Sequence, residues 1–232
     1  MSYFIVIPAR YESSRFPGKL LEKISNQSII KHVYDRSCQS NASKVYIATD
    51  SNKIYEHCIK FSNDVHMTST NNRNGTERIA ELAKNEKWSS EQLVINVQGD
   101  MPFVPPSNIE YLASCSSNDS LTTLYYPLSN NDDIENENIV KVQIDAESNE
   151  VIKFFRKYIN EDLEKTFKHV GIYSYTVKNL LDYTNYDLSI NEKNLKLEQY
   201  RFLDNNFKVK AFLAKKDPGI SVDIKSDIEN FI

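Results

Sequence analysis

The first hundred residues alternate between short apolar runs and amphipathic stretches. Tyr3 to Ile7 is an almost unbroken apolar run that stops at Pro8, the pattern of a strand buried on both faces of a parallel sheet. Ser28 to Ser40 carries Ile29, Ile30, Val33 and Tyr34 at helical spacing. Lys44 to Asp50 predicts a second strand, and Ser51 caps a helix marked by Ile54, Tyr55, Cys58 and Ile59. Asp64 to Ser69 is a short third strand. Thr76 to Lys87 is a helix turning Ile79, Leu82 and Ala83 inward, and Leu93 to Gln98 is a further buried strand running into Gly99 and Asp100. Such alternation predicts right-handed βαβ units, with ligands held beyond the carboxyl ends of the strands. Pro8-Ala9-Arg10, Ala48-Thr49-Asp50 and Gly99-Asp100 stand at those ends.

The second half changes character. Leu121 to Pro127, Val140 to Asp145, His169 to Tyr175 and Val209 to Ala214 read as strands. Asn130 to Asn138 is a polar, acidic stretch of solvated loop, and Glu161 to Lys168 is a charged stretch suited to a flap. No internal repeat and no Pro- or Ser-rich linker divides the chain. The expectation is one α/β unit spanning 1–232, with a nucleotide-binding part over about 1–105 and a smaller mixed-sheet lobe over about 120–215.

Composition narrows the function. Lys+Arg total 28 against 32 Asp+Glu, a net charge of −4, which argues against a dedicated nucleic-acid binder but allows a local basic pocket for a small anion. No apolar stretch approaches a membrane span, and the apolar N-terminal run is too short for a secretion signal. Cys38, Cys58 and Cys115 are scattered, as suits a reducing cytoplasm, and the four histidines are equally dispersed, so a zinc site is not expected. Only 5 glycines occur, so each surviving one marks a backbone need.

Five motifs carry candidate chemistry. Pro8-Ala9-Arg10-Tyr11-Glu12-Ser13-Ser14-Arg15-Phe16-Pro17-Gly18-Lys19 concentrates three cations after a buried strand, as a phosphate cradle would and as a solvated basic loop also would. It is not a Walker A loop, because Leu20 follows Lys19 where a hydroxyl is required. Val97-Gln98-Gly99-Asp100 puts a carboxylate over the crevice, suited to Mg²⁺ or simply to capping the next turn. Pro218-Gly219-Ile220-Ser221-Val222-Asp223 offers a second carboxylate that could meet Asp100, before a last helix capped by Ser226 or Asp227. Asn74-Gly75-Thr76-Glu77-Arg78 reads as a base- or phosphate-reading helix start or as an ordinary N-cap. His169-Val170-Gly171-Ile172-Tyr173 is an alternating strand with a polar start.

Taken in order, the segments PARYESSRFPGK, ATD, NGTERIAE, NVQGD, HVGIYSY, LEQYR and PGISVD resemble the CMP-Kdo synthetases, the 3-deoxy-manno-octulosonate cytidylyltransferases. More distantly, the chain is similar to CMP-sialic acid synthetases and other sugar nucleotidyltransferases. The resemblance implies a Rossmann-like nucleotide-diphospho-sugar transferase fold of the α/β class, with a mostly parallel sheet flanked by helices. It also implies a Mg²⁺-dependent reaction of CTP with a 3-deoxy-ulosonic acid, giving CMP-sugar and pyrophosphate for surface-glycan synthesis. By the same likeness, Arg10, Arg15 and Lys19 hold the triphosphate, with Lys19, Arg15 and Asp100 acting at the reacting centre. Asp100 and Asp223 bind Mg²⁺, while Ala9, Thr76 and Gln98 line the cytidine pocket. Arg156, His169, Glu198 and Gln199 line the sugar site, Glu198 and Gln199 on one predicted helix. A homodimer through the second lobe is a further implication.

The chain departs from the family pattern in four places: Met101 replaces Glu, Phe155 replaces Ser, Asn160 replaces Pro, and the segment 157–168 is short; the last three fall around the sugar pocket and bear on the acceptor. The alternatives are the same chemistry on 8-amino-Kdo or a nonulosonic acid, and a catalytically silent nucleotide-binding homologue.

Overall fold

The computed structural model describes residues 2–13, 15–128, 134–158 and 162–229. The first half runs β1 (Tyr3–Ala9), the short pair β2 (Lys23–Ile24) and β3 (Gln27–Ser28), α1 (Ile29–Cys38), β4 (Lys44–Thr49), α2 (Asn52–Cys58), β5 (Val65–Met67), α3 (Gly75–Asn85) and β6 (Leu93–Val97). The second half runs α4 (Pro106–Cys115), β7 (Ser120–Tyr126), β8 (Lys141–Ile144), β9 (Val151–Phe155), β10 (Thr166–Thr176), α5 (Val177–Asn185), α6 (Ile190–Leu195), α7 (Tyr200–Asp204), β11 (Lys208–Leu213) and α8 (Ser226–Glu229).

Among the described residues, nine strands join one sheet whose main order is β11-β7-β10-β6-β1-β4-β5, with β8 and β9 branching from β10. β1 pairs parallel with β4 and β6, and β4 parallel with β5. β10 runs antiparallel to both β6 and β7, and it supplies the mixed character of the second half. The fold class is the expected one: a mostly parallel sheet between helical layers.

Side-chain alternation sends each central strand into two cores. Ile5, Ile7, Ile95 and Val97 pack with α1, α2 and α4 on one face. Val6, Val94, Tyr173 and Tyr175 pack with α3, α5 and α7 on the other. Each fully buried Ile or Val contributes about 1.5–3 kcal/mol relative to exposure, so this two-sided burial firmly fixes where the strands end. The loops after β1 and β6 therefore leave the sheet side by side.

Several expectations differ in extent. β10 begins at Thr166 rather than His169, because Thr166 to Lys168 find partners on β8. The expected flap is thus partly strand, preceded by a 3₁₀ turn over Leu163–Lys165. Asn160 lies outside the described residues, as do 130–133 of the expected acidic loop. Glu198 and Gln199 are not within a helix: they form the turn before α7, and Gln199 is its N-cap residue.

Candidate functional site

A cavity of about 980 Å³ opens beyond the carboxyl ends of β1 and β6. Pro8 and Arg10 wall it from β1, Gln98 to Met101 from β6, and Arg15 and Lys19 from the loop between. Gly18 stands between the two, directly before Lys19. Its φ of +74° is left-handed and suits glycine, and its N–H closes the loop on Tyr11 O at 2.8 Å.

The two aspartates converge. Val222 N–H donates to Asp100 O at 2.9 Å, which ties the segment ahead of Asp223 to the turn after β6. Lys19 Nζ then donates to Asp100 Oδ2 at 2.6 Å and to Val222 O at 2.6 Å, and lies 3.6 Å from Asp223 Oδ1. Arg15 Nη2 binds Asp223 Oδ1 at 2.6 Å. Asp227 Oδ2 accepts the N–H groups of Asp223 and Ile224, at 2.7 and 2.9 Å, and so fixes the turn bearing Asp223. Burial and the neighbouring Asp100 push the Asp223 carboxyl above its usual range, against the pull of Lys19 and Arg15.

The two carboxylates thus meet two cations, Lys19 and Arg15, at the mouth of the cavity. Among the described residues no cluster of three or more His, Cys, Asp or Glu side chains could hold a metal. Asp100 and Asp223 nevertheless present hard oxygen donors around one cation, the Lys19 ammonium. One or two carboxylates with substrate oxygens completing the shell is the donor set Mg²⁺ takes.

The far wall comes from the second half of the chain. Arg156, directly after β9, lines the cavity, and its pKa is lowered by burial and by Arg15. Buried His169 on β10 shares a 3.0 Å hydrogen bond with Thr123 Oγ1. Desolvation, helped by Arg156, drives its pKa down to about 3, so the ring is neutral at physiological pH. Glu198 accepts the Thr76 N–H at 3.2 Å, and burial raises its pKa. Gln199 lines the same wall and accepts from Tyr173 Oη at 3.5 Å.

Two expected cytidine residues lie off the cavity wall. Ala9 shares the strand face of Ile5 and Ile7, and its methyl is fully buried in the core beneath, so the adjacent Pro8 and Arg10 face the cavity instead. Thr76 is buried in the first turn of α3, where its N–H serves Glu198. Phe155 also lies off the cavity wall and is buried at the end of β9. Met101 is buried too, but it does line the cavity, its Sδ 3.9 Å from where a Cβ on Gly171 would stand.

Sequence reasoning missed the device that locks these walls together. Arg201 donates to both carboxylate oxygens of Glu192, at 2.7 and 2.6 Å, and to Glu77 Oε1 at 2.8 Å. Asn74 caps α3 by accepting the Glu77 N–H at 2.9 Å, and its amide donates to Tyr183 Oη at 2.7 Å. The Asn74 cap alone had a local signal, Asn74-Gly75-Thr76-Glu77, an N-cap followed by an acidic third position.

Comparisons with known proteins place the chain in one family. The family model described as Cytidylyltransferase matches residues 4–215. The chain is 37% identical to the 3-deoxy-manno-octulosonate cytidylyltransferase of Aliivibrio fischeri (strain MJ11), covering 99% of this chain and 97% of that protein. It is 34% identical to the enzyme of the same name from Haemophilus influenzae (strain ATCC 51907 / DSM 11121 / KW20 / Rd), over 99% of this chain and 96% of that one. A solved CMP:2-keto-3-deoxy-manno-octonic acid synthetase in complex with CTP superposes with a TM-score of 0.86 at 30% identity, covering 99% and 96% of the two chains. With full-length relatives at this identity and a cation-lined crevice where the motifs led, the chain belongs to the family of 3-deoxy-manno-octulosonate cytidylyltransferases.

Proposed function

We propose that this enzyme couples CTP to 3-deoxy-manno-octulosonate, giving CMP-sugar and pyrophosphate, with Mg²⁺ held by Asp100 and Asp223. The observation that carries this reading is the meeting of Lys19, Asp100 and Asp223 at the mouth of a cavity that Arg10, Arg15 and Arg156 also line.

The chemistry asks mainly for positioning and charge neutralisation. Arg10, Arg15 and Lys19 bind the triphosphate, and Lys19 exchanges its contact with Asp100 for the α-phosphate. Arg156 pairs with the acceptor carboxylate, while neutral His169 and Gln199 offer hydrogen bonds to its hydroxyls. The anomeric oxygen forms the new bond to the α-phosphorus. The bond from that phosphorus to the pyrophosphate oxygen breaks with its electron pair, and the hydroxyl proton leaves to solvent. Asp100 and Asp223 would hold Mg²⁺, which would supply charge neutralisation for the phosphates and would make the attacking hydroxyl easier to deprotonate. In the cell the product feeds lipopolysaccharide or another surface glycan, made by a cytoplasmic homodimer closed through the second lobe.

The test is CTP- and Mg²⁺-dependent pyrophosphate release across a panel of ulosonic acids. Turnover with 3-deoxy-manno-octulosonate is the expected result. Silence with it, beside turnover of an 8-amino or nonulosonic acid, would refute the named acceptor.

A further inference from the structure

Arg15 and Arg156 reach the cavity from the two halves of the chain, and both guanidiniums end at Asn138. Arg15 Nη1 donates to Asn138 Oδ1 while its Nη2 holds Asp223. Arg156 Nη1 donates to the main-chain oxygens of Asn138 at 3.3 Å and of Glu137 at 3.2 Å. Burial first, and the neighbouring Arg15 cation second, lower the pKa of Arg156. What holds Arg156 and the Nη1 side of Arg15 is carbonyl oxygen, which brings no countercharge.

The loop that presents these oxygens is itself braced. Asn136 Oδ1 accepts the Asn138 N–H at 2.9 Å. The buried Lys141 ammonium, on β8, binds Asn136 O at 2.6 Å and Arg156 O at 2.8 Å. Asn138 is therefore set in place from the sheet outward, and both Asn138 and Asn136 line the cavity.

We propose that Asn138 is a positioning residue: it holds Arg15 and Arg156 side by side through uncharged acceptors, adding no carboxylate to the one, Asp223, that already pairs with Arg15, so that the pair keeps net positive charge for two anions bound next to each other. On the functional reading above, on which the identity of the anions rests, these are a nucleotide phosphate and the acceptor carboxylate. An aspartate in its place would hold Arg15 equally well but cancel one unit of charge. An alanine would release only the Nη1 side of Arg15, with Nη2 still on Asp223, and leave the charge intact, and the main-chain tether of Arg156 would survive both changes.

The test uses the full-length chain and inorganic pyrophosphate as probe, measured by titration calorimetry for wild type, Asn138→Ala, Asn138→Asp and Asn138→Gln. Pyrophosphate binding is expected to weaken about threefold in the alanine variant and about tenfold or more in the aspartate variant, with glutamine nearest wild type. KM for CTP should follow the same order, and kcat should change less. A structural brace would give the reverse order, since aspartate is the closest match in shape, so aspartate milder than alanine overturns the proposal. Equal binding by all four proteins, or no pyrophosphate binding by the wild type, overturns it as well. The probe needs no acceptor sugar. Binding in the expected order with no turnover of any ulosonate therefore supports the role of Asn138 and refutes the proposed reaction.

Discussion

Arg201, in α7, and Glu77, in the first turn of α3, are joined by a 2.8 Å ion pair with both side chains buried. The Arg201 guanidinium also lies 4.2 Å from the centre of the Tyr183 ring and grips Glu192. Burial alone would raise the Glu77 carboxyl, but its bonds to Arg73 and Arg201 hold it below its usual range. Replacing Arg201 by methionine would leave the buried Glu192 carboxylate without its cation and Glu77 with Arg73 alone. We predict a loss of about 3–5 kcal/mol, read as a fall in the urea midpoint, with Glu77→Gln less damaging. An unchanged midpoint would show that the lock contributes nothing.

Lys19→Ala removes the cation that Asp100 and Asp223 share. Turnover should fall about a hundredfold or more, while CTP affinity changes less, because the charge Lys19 neutralises grows towards the transition state. Steady-state kinetics beside CTP calorimetry separate the two effects.

Gly219 adopts φ +73°, and a Cβ there would stand 2.7 Å from Phe103 Cβ. Gly219→Ala is therefore both strained and crowded, four residues ahead of Asp223. It should cost about 1–3 kcal/mol in denaturant melts and depress turnover as well, since the segment sets the second carboxylate.

His169 gives a pH signature. Its folded pKa, about 3, lies below its ordinary value near 6.5, so the unfolded chain binds the proton first as pH falls. The stability this depression confers is present above about pH 6.5 and is lost as pH drops towards 3, with a slope approaching about 1.4 kcal/mol per pH unit from this group. His169→Gln should flatten that part of the curve in urea melts between pH 7 and 4. A parallel curve would mean that His169 titrates normally.

Asp223 has the opposite sign. A carboxyl raised by burial and by Asp100 stabilises the fold while protonated, and that contribution is lost as pH rises through its folded pKa. Asp223→Asn should therefore match wild type in acid and melt higher at pH 7.5, despite losing function. A lower melting temperature at pH 7.5 would show that the ion pairs with Arg15 and Lys19 outweigh the crowding.

Much of this was legible in the chain, because each central strand carries an apolar run long enough to read and ends at a polar motif. Asp100 and Asp223 could be paired because both end short apolar segments at a crevice. β9 and α4 went unread: Val151 to Phe155 is short and interrupted by Lys153, and Pro106 to Cys115 buries Ile109, Leu112 and Ala113 on one modest stripe. Ala9 was misplaced by a parity that only the strand register reveals. Asn138 and Arg201 were invisible because their partners, Arg15 and Glu77, lie more than a hundred residues away, beyond any local pattern.

The most direct measurement is pyrophosphate release from CTP and 3-deoxy-manno-octulosonate with Mg²⁺, comparing wild type with Asp100→Asn and Asp223→Asn, each checked for native circular dichroism. Loss of about a hundredfold or more in both variants is the predicted result. Turnover in either variant within about threefold of a working wild type, a difference below 1 kcal/mol, would contradict the claim that these two carboxylates organise the reaction.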